Sequence, residues 1–281
     1  MKKFEGIVIA SDLDGTFLAD GEKYVERNLD AIEYFKENGG MFTIATGRDW
    51  FFAAKACPEL IELCNAPMIA CNGSYICDIR TGEIGAVTEF DSHEALYAIR
   101  EISKSFPQII YRVSMLNTYV YEPGISHSRY DTGPVSECVT ERVLDEIVDE
   151  QWLKVVFEGD SSYIPDVLKL GNSLDLKNIR IISSQADYAE LLPPDVTKGK
   201  MLPALKESIA KKSGLDTSKI KICAIGDYFN DYEMIVASDI PATVANAPDE
   251  LKQIPGVYVA CDHNDGAIAD LIEYIEKYIV K

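Results

Sequence analysis

Blocks of apolar and polar residues alternate along residues 6–83. Short apolar runs at residues 6–10, 41–45 and 67–71 have the length and composition of buried strands. Between the first two, Val25, Leu29, Ile32 and Phe35 recur at helical spacing, and Gly39-Gly40 ends the segment. A second helix is expected over residues 50–63, kinked or divided by Pro58. Strands that alternate with helices predict a parallel sheet covered on both faces.

The pattern changes between residues 86 and 193. Strand-like runs at 109–113 and 118–121 lie close together in sequence, which is typical of a hairpin. We also predict helices over 92–105, 140–150 and 163–170, and strands over 153–158 and 179–183. The strand–helix alternation returns from residue 198. We therefore predict one α/β domain formed by residues 1–85 and 194–281, interrupted by an inserted α+β domain over residues 86–193.

Composition and charge narrow the class of protein. The chain of 281 residues is 47% hydrophobic and has a formal charge of −19. An excess of acidic residues disfavours a nucleic-acid partner, because such binding relies on Lys and Arg. No apolar run reaches the ~20 residues that a membrane span needs, and the N-terminus has no signal-peptide pattern, so we expect a cytoplasmic protein. The seven cysteines include no Cys-x-x-Cys pair and are expected to be reduced.

Polar residues follow four of the predicted buried strands. These segments are Asp12-Leu13-Asp14-Gly15-Thr16, Thr46-Gly47-Arg48, Asn72-Gly73-Ser74 and Gly226-Asp227-Tyr228-Phe229-Asn230-Asp231. In an open parallel sheet, ligands bind beyond the carboxyl ends of the strands. We therefore expect these four segments to converge on one site.

The first of these segments suggests a cation or a shared proton. If the strand continues through it, Asp12 and Asp14 point to the same side. Two adjacent carboxylates repel each other unless a cation lies between them or one carries a proton. The alternative is an ordinary Asp-Gly turn at a polar strand end.

The other segments favour a phosphate ligand with Mg²⁺. Asp12, Asp14 and Asp227 supply the oxygen ligands that Mg²⁺ prefers. Thr46 offers a hydroxyl, and Gly47 lets a backbone N–H approach an anion. Lys198 could reach a phosphoryl oxygen, although an isolated lysine is more often a solvated surface residue.

Taken in order, these segments resemble the motifs of the haloacid dehalogenase superfamily of phosphohydrolases, in its Cof-like branch with a type IIB cap. The matching segments are Asp12-Leu13-Asp14-Gly15-Thr16, Thr46-Gly47-Arg48, Lys198-Gly199 and Gly226-Asp227 with Asn230-Asp231, and they extend over the whole chain. The resemblance implies a Rossmann-like parallel-sheet core and makes the inserted domain a cap that selects the substrate.

The resemblance also implies roles for individual residues. Asp12 would attack phosphorus and form an aspartyl-phosphate. Asp14 would protonate the leaving group and then deprotonate the water. Thr46 and Lys198 would stabilise the transferring phosphoryl group.

The remaining implied roles concern binding. Mg²⁺ would be held by Asp12, the backbone carbonyl of Asp14, and Asp227, with Asp231 as an indirect ligand. Asn230 would position Lys198 or the phosphate, and Leu13, Gly47, Arg48 and Asn72 are the other expected substrate-binding residues.

The expected function is a Mg²⁺-dependent phosphatase acting on a small phosphorylated metabolite, as a monomer or weak homo-oligomer. A phosphomutase or phosphotransferase on the same core, or a ligand-binding member without catalysis, stays open.

Tyr228 and Phe229 depart from the small or acidic residues usual in the fourth motif. They would either stack on a substrate ring or pack against the cap. In the loop over residues 122–137, we expect His127, Arg129, Tyr130 and Asp131 to contact the substrate, unless this is an ordinary surface loop.

Overall fold

The computed structural model describes residues 2–126 and 135–280. The chain forms two compact units, Met1–Val87 with Thr197–Lys281 and Thr88–Val196. We call them the core unit and the inserted unit. The boundaries fall at 87/88 and 196/197, where the sequence predicts 85/86 and 193/194.

The first segment of the core unit alternates strands and helices as the apolar pattern predicts. Its elements are β1 (Ile7–Ser11), α1 (Glu26–Glu37), β2 (Met41–Ile44), α2 (Trp50–Ala56), α3 (Leu60–Leu63), β3 (Met68–Ala70), β4 (Tyr75–Cys77) and β5 (Ile84–Val87). Pro58 lies between α2 and α3, where the loss of its backbone N–H separates the two helices.

The inserted unit combines two helices with an antiparallel-rich sheet. Its elements are α4 (Ser92–Ser105), β6 (Ile110–Met115), β7 (Thr118–Tyr121), β8 (Val139–Glu141), β9 (Lys154–Glu158), α5 (Ile164–Ser173), β10 (Arg180–Gln185) and β11 (Tyr188–Leu192). The strands lie in the order β10-β11-β9-β6-β7-β8. One face packs on the helices through apolar residues such as Ile99, Val113, Val155 and Leu191.

The structure of the inserted unit differs from the sequence predictions at two places. The helix predicted over residues 140–150 is wrong: β8 (Val139–Glu141) pairs in parallel with β7, and a 3₁₀ turn (Leu144–Glu146) follows. Its β-branched residues, Val139, Thr140 and Val143, favour extended backbone. Strand β11 was not predicted, and it pairs with both β10 and β9.

The last segment completes the core unit. Its elements are α6 (Leu202–Ser213), β12 (Lys221–Gly226), α7 (Tyr232–Ala237), β13 (Ile240–Val244), α8 (Asp249–Lys252), β14 (Tyr258–Ala260) and α9 (Ala267–Tyr274). Short 3₁₀ turns at Gly199–Met201 and Phe229–Asp231 precede α6 and α7, and a π-helical turn (Ile275–Ile279) follows α9.

A parallel sheet organises the core unit. Its strands lie in the order β14-β13-β12-β1-β2, and a parallel bridge between Ala45 and Ile69 adds β3 beyond β2. Apolar side chains of β1 and β12, including Val8 and Ile222, pack with Leu205 and Ile209 of α6 in one hydrophobic cluster. The predicted fold class, a Rossmann-like α/β core with an inserted α+β domain, is confirmed.

Two other sequence expectations concern chemistry and environment. All seven cysteines lie within the described residues and none forms a disulfide. Among residues 2–126 and 135–280, no helix has the length and apolar character needed to cross a membrane.

Candidate active site

The candidate site lies where the order of strands reverses. From the central strand β1, the chain adds β2 and β3 on one side, and β12, β13 and β14 on the other. Such a reversal opens a crevice beyond the carboxyl ends of the strands. Ser11 at the end of β1 pairs with Ile225 of β12, so Asp12 and Asp227 leave neighbouring strands. Their proximity follows from this register.

Lys198 joins two of the acidic residues. Its Nζ donates to Asp12 Oδ1 at 2.5 Å and to Asp231 Oδ1 at 2.7 Å. The side chain is fully buried, which excludes the alternative of a solvated surface lysine. Asp12 is 6% exposed and Asp231 is fully buried. Because a buried ammonium requires compensating charge, the two carboxylates explain why Lys198 can lie there.

Burial and charge act on these groups in opposing directions. Burial raises the pKa of the Asp12 carboxyl well above its ordinary value, and the charge of Asp231 adds to this, while Lys198 opposes it. The pKa of Asp227 is also raised, first by burial and then by Asp231. Burial lowers the pKa of Lys198, but the two carboxylates outweigh it and raise that pKa overall. More positive charge in this cluster would favour its ionised carboxylates.

The same cluster fits a divalent cation. Oxygen atoms of Asp12, Asp227 and Asp231 lie within 4.8 Å of one another. Three carboxylates and one ammonium leave a formal charge of −2, which a divalent ion would balance. A set of oxygen ligands alone is what Mg²⁺ prefers, and it does not suit zinc. The carboxylates of Asp12, Asp227 and Asp231 therefore fit Mg²⁺.

Asp231 organises the turn that carries this cluster. Its Oδ2 accepts hydrogen bonds from the backbone N–H groups of Asp227 and Tyr228, both at 3.2 Å. Gly226 makes room for this carboxylate, since a Cβ atom at Gly226 would lie 2.3 Å from Asp231 Cγ. Asn230, which was expected to position Lys198 or the phosphate, is exposed on this turn. The contact with Lys198 comes instead from Asp231.

The second and third segments form a backbone cradle beside the cluster. Thr46 is buried, and its Oγ1 accepts a hydrogen bond from the Arg48 backbone N–H at 3.1 Å. The backbone N–H of Asn72 donates to the Thr46 carbonyl at 3.0 Å. A Cβ atom at Gly47 would lie 2.9 Å from Asn72 Oδ1, so glycine permits this close approach. The structure thus brings Thr46, Gly47 and Asn72 together, as the predicted convergence requires.

Asp12 and Asp14 bind different cationic side chains. Lys198 donates to Asp12, and Arg48 donates to Asp14. Strand β1 ends at Ser11, and the exposed Asp14 carboxylate accepts from Arg48 Nε at 3.0 Å and from Nη2 at 2.5 Å. Arg48 Nη2 also lies 2.5 Å from Glu22 Oε1. The Leu13 side chain between the two aspartates is fully buried. Only the backbone of Leu13 could therefore contact a substrate.

Three residues that bond to the site were given no role by the sequence predictions. Thr16 Oγ1 donates to Asp227 Oδ1 at 3.0 Å. Asn246 Nδ2 donates to the Gly15 carbonyl at 2.9 Å, which links the turn after β13 to the first motif. The third is Glu22, the second partner of Arg48. Thr16 belongs to the Asp-Leu-Asp-Gly-Thr segment and could have been found there, whereas nothing local marks Glu22.

The two histidines that the structure describes, His93 and His263, pair with carboxylates outside the cluster of Asp12, Asp227 and Asp231. His93 pairs with Asp149 in the inserted unit, and His263 pairs with Asp20. His127, Arg129, Tyr130 and Asp131 lie outside the described residues, so their expected contact with substrate stays a prediction.

Comparison with known proteins identifies the family. The sequence profile of the haloacid dehalogenase-like hydrolases matches residues 9–272. The chain belongs to this family. The resemblance inferred from the four motifs is therefore confirmed, and the chain is a hydrolase of phosphoric monoesters.

Individual members of the family show how far the likeness extends. Pyridoxal phosphate phosphatase YbhA of Escherichia coli (strain K12) is 23% identical over 272 residues, which cover 94% of this chain and 97% of that one. A haloacid dehalogenase-like hydrolase from Bacteroides thetaiotaomicron aligns with a TM-score of 0.79 at 19% identity, over 97% of this chain and 100% of that one. A subclass IIB sugar phosphatase of the superfamily aligns with a TM-score of 0.71 at 15% identity, over 95% of this chain and 98% of that one. The two structural likenesses concern the fold.

Proposed function

We propose that this chain is a Mg²⁺-dependent phosphatase that hydrolyses a small phosphorylated metabolite through an aspartyl-phosphate on Asp12. The observation that carries the proposal is the buried Lys198, bound to Asp12 at 2.5 Å and to Asp231 at 2.7 Å, beside Asp227. A cluster with this excess of carboxylates is suited to a cation and a phosphoryl group rather than to structural packing alone.

The first half of the reaction transfers the phosphoryl group to the protein. An oxygen of Asp12 attacks phosphorus, and the bond from phosphorus to the leaving-group oxygen breaks. Asp14, which must enter this step protonated, gives its proton to that oxygen as it departs. Lys198 and the cradle of Thr46 and Gly47 stabilise the charge on the phosphoryl oxygens.

The second half regenerates the protein. Asp14, now ionised, accepts a proton from water as the water oxygen attacks phosphorus. The bond between phosphorus and Asp12 breaks, which restores the Asp12 carboxylate and releases inorganic phosphate. Arg48 fixes the position of the Asp14 carboxylate through its two hydrogen bonds, at 3.0 and 2.5 Å.

The proposed cofactor is Mg²⁺, which Asp12, Asp227 and the backbone carbonyl of Asp14 would hold, with Asp231 as an indirect ligand. When bound, it would neutralise negative charge on the phosphoryl group and on the attacking carboxylate. The chain's own residues hold the remaining polar contacts: Thr16 orients Asp227 at 3.0 Å, and Lys198 orients Asp12.

The proposed substrates are small phosphomonoesters. An Escherichia coli relative is named for pyridoxal phosphate, and a protein of similar fold is named a sugar phosphatase. The fold thus accommodates leaving groups of different chemistry, and a panel of metabolite phosphates is the direct way to rank them for this chain.

The test is phosphate release from 4-nitrophenyl phosphate in the presence of Mg²⁺, for the wild type and for Asp12→Asn. Asparagine preserves the shape of the side chain but cannot form the acyl phosphate, so we expect kcat to fall at least about 10³-fold. Acid quenching of wild type with ³²P-labelled substrate should trap protein-bound label that hydroxylamine removes, as an acyl phosphate requires.

Three results would count against the proposal. Unchanged turnover in Asp12→Asn would exclude Asp12 as the nucleophile. Transfer of label to a second sugar hydroxyl, without release of inorganic phosphate, would indicate a phosphomutase or phosphotransferase. A wild type that binds phosphate esters but releases nothing would be a ligand-binding member of the family.

A further inference from the structure

Two exposed aromatic residues directly follow a carboxylate of the candidate site. Tyr228 and Phe229 come immediately after Asp227, and these residues are 54% and 51% exposed. Their rings contact each other edge to face, with centroids 5.1 Å apart and an interplanar angle of 68°. Nothing in the chemistry proposed for the phosphoryl group uses either ring.

The backbone of these residues is tied to the catalytic cluster. The Tyr228 N–H donates to Asp231 Oδ2 at 3.2 Å, and Asp231 Oδ1 binds Lys198 at 2.7 Å. Phe229 begins the 3₁₀ turn Phe229–Asp231, which Asp231 itself ends. The two rings therefore project from a segment whose position is set by the cluster.

A ligand that covered these rings would remove apolar surface from water, which is favourable. Large apolar side chains exposed next to each other mark binding surfaces more often than isolated ones do. A polar residue at either position could make the same backbone hydrogen bonds. An exposed aromatic pair directly after Asp227, on a turn bonded to the catalytic cluster, suits a ligand with an apolar or aromatic face.

We infer that Tyr228 and Phe229 form an aromatic rim that binds a planar ring in the leaving group of the substrate. The inference rests on the proposed function, because it specifies the leaving group of that reaction. Flat rings stack on aromatic side chains with a gain that does not depend on hydrogen-bond pattern. The substrate class is thus a phosphomonoester that carries an aromatic or heteroaromatic ring.

Tyr232 supplies a matched control on the same surface. It is 44% exposed and lies three residues after Phe229, at the start of α7. A role for general surface apolarity, or for association between copies of the chain, would involve Tyr232 as much as Phe229. A role in binding the leaving group would depend on the two residues adjacent to Asp227.

The experiment measures binding of two phosphonates that cannot be hydrolysed, so that it does not require turnover. With Mg²⁺ present, calorimetry gives the Kd of phenylphosphonate and of 3,4-dihydroxybutylphosphonate, an analogue of glycerol phosphate, for wild type, Phe229→Ala, Tyr228→Ala/Phe229→Ala and Tyr232→Ala. We expect wild type to prefer phenylphosphonate. The double variant should lose about three- to tenfold in affinity for it and less than twofold for the hydroxylated analogue, while Tyr232→Ala should resemble wild type.

Several results would overturn the inference. One is a wild type without preference for the ring; another is an equal loss of affinity for both phosphonates in the double variant. A change of oligomeric state in size-exclusion chromatography, or a lowered melting temperature with unchanged Kd values, would assign the rings to self-association or to packing. Ring-selective binding without any phosphate release would support the aromatic rim and refute the proposed function separately.

Discussion

Arg48 holds the carboxylate of Asp14 through both of its oxygens, from Nε at 3.0 Å and from Nη2 at 2.5 Å. Two parallel hydrogen bonds from a planar guanidinium fix both the position and the plane of a carboxylate. The Arg48 side chain is 11% exposed, compared with 54% for Asp14. A largely buried guanidinium therefore orients the carboxylate of Asp14, the form in which Asp14 is proposed to accept a proton from water.

This contact predicts a specific loss in Arg48→Lys. Lysine preserves the charge but not the two-pronged geometry, so Asp14 should be less well positioned while the phosphate site stays intact. We expect kcat for 4-nitrophenyl phosphate to fall roughly tenfold with KM within about threefold. Steady-state kinetics of purified wild type and variant measure both.

Glu22→Gln is the control for that experiment, because Glu22 touches the same guanidinium but not Asp14. Its kcat should stay within about threefold of wild type. An Arg48→Lys variant with normal kcat and raised KM would instead assign Arg48 to substrate binding.

Removal of the Lys198 ammonium should destabilise the protein in a way that Mg²⁺ corrects. Lys198→Met leaves Asp12 and Asp231 buried beside each other without a cation, which typically costs about 3–5 kcal/mol. Because the same carboxylates fit Mg²⁺, millimolar Mg²⁺ should restore part of the loss. Urea unfolding with Mg²⁺ and with EDTA measures the free energy of unfolding in each case.

Lys154→Met provides the comparison within the same chain. Lys154 is also buried, and its Nζ lies 3.1 Å from Glu190 Oε1 in the inserted unit. We expect a loss of stability there that Mg²⁺ leaves unchanged. Equal responses of the two variants to Mg²⁺ would contradict a cation site at Asp12, Asp227 and Asp231.

The carboxylate of Asp227 should contribute to Mg²⁺ affinity. Asp227→Asn preserves the hydrogen bond from Thr16, which is 3.0 Å long, but removes one negative charge. Calorimetric titration should show Mg²⁺ binding at least about tenfold weaker than in wild type. Asp20→Asn, at a carboxylate that is 86% exposed, should leave the affinity unchanged.

Gly226 should tolerate no side chain. In Gly226→Ala, the new Cβ would lie 2.3 Å from Asp231 Cγ, so that Asp231 must move away from Lys198. We expect a loss of about 1–3 kcal/mol in the free energy of unfolding. Gly85→Ala is the control, since its nearest atom would be Ser208 Oγ at 3.5 Å. A Gly226→Ala variant as stable and active as wild type would show that the turn can repack.

An acidic residue of the inserted unit should make stability depend on pH. Hydrogen bonds from Arg100, at 2.5 and 2.6 Å, lower the pKa of Glu122 below its ordinary 4.5, although burial opposes this. A carboxyl with a lowered pKa in the folded state stabilises the protein above its unfolded pKa, and the gain disappears as the pH falls through the folded value.

The corresponding variant is Glu122→Gln. It should be less stable than wild type at pH 7, and the difference in urea midpoint should shrink as the pH falls below about 4.5. Asp145→Asn removes the exposed second partner of Arg100, at 2.6 Å, and should have a smaller effect. A Glu122→Gln difference that is constant over this range of pH would exclude ionisation of Glu122 as its cause.

Local sequence patterns were sufficient to predict most helices and strands of the core unit. The spacing of Val25, Leu29, Ile32 and Phe35 predicts α1, and the apolar run before Asp12 predicts β1, because helix and strand periodicities extend over only a few residues. The reversal of strand order then brings the four polar segments together. In the inserted unit, the same local reasoning failed over residues 140–150, where pairing with β7 decides the conformation.

By itself, the sequence determined which residue types stand at the ends of the strands, and therefore the family and the kind of chemistry. Only the tertiary structure decided how those residues pair. Lys198 and Asp231 are 33 positions apart and Arg48 and Asp14 are 34 apart, so no local pattern connects them. The folded sheet brings the members of each pair together. Lys198 and Arg48 become largely buried when the chain folds, and a buried cation requires an anionic partner at hydrogen-bonding distance.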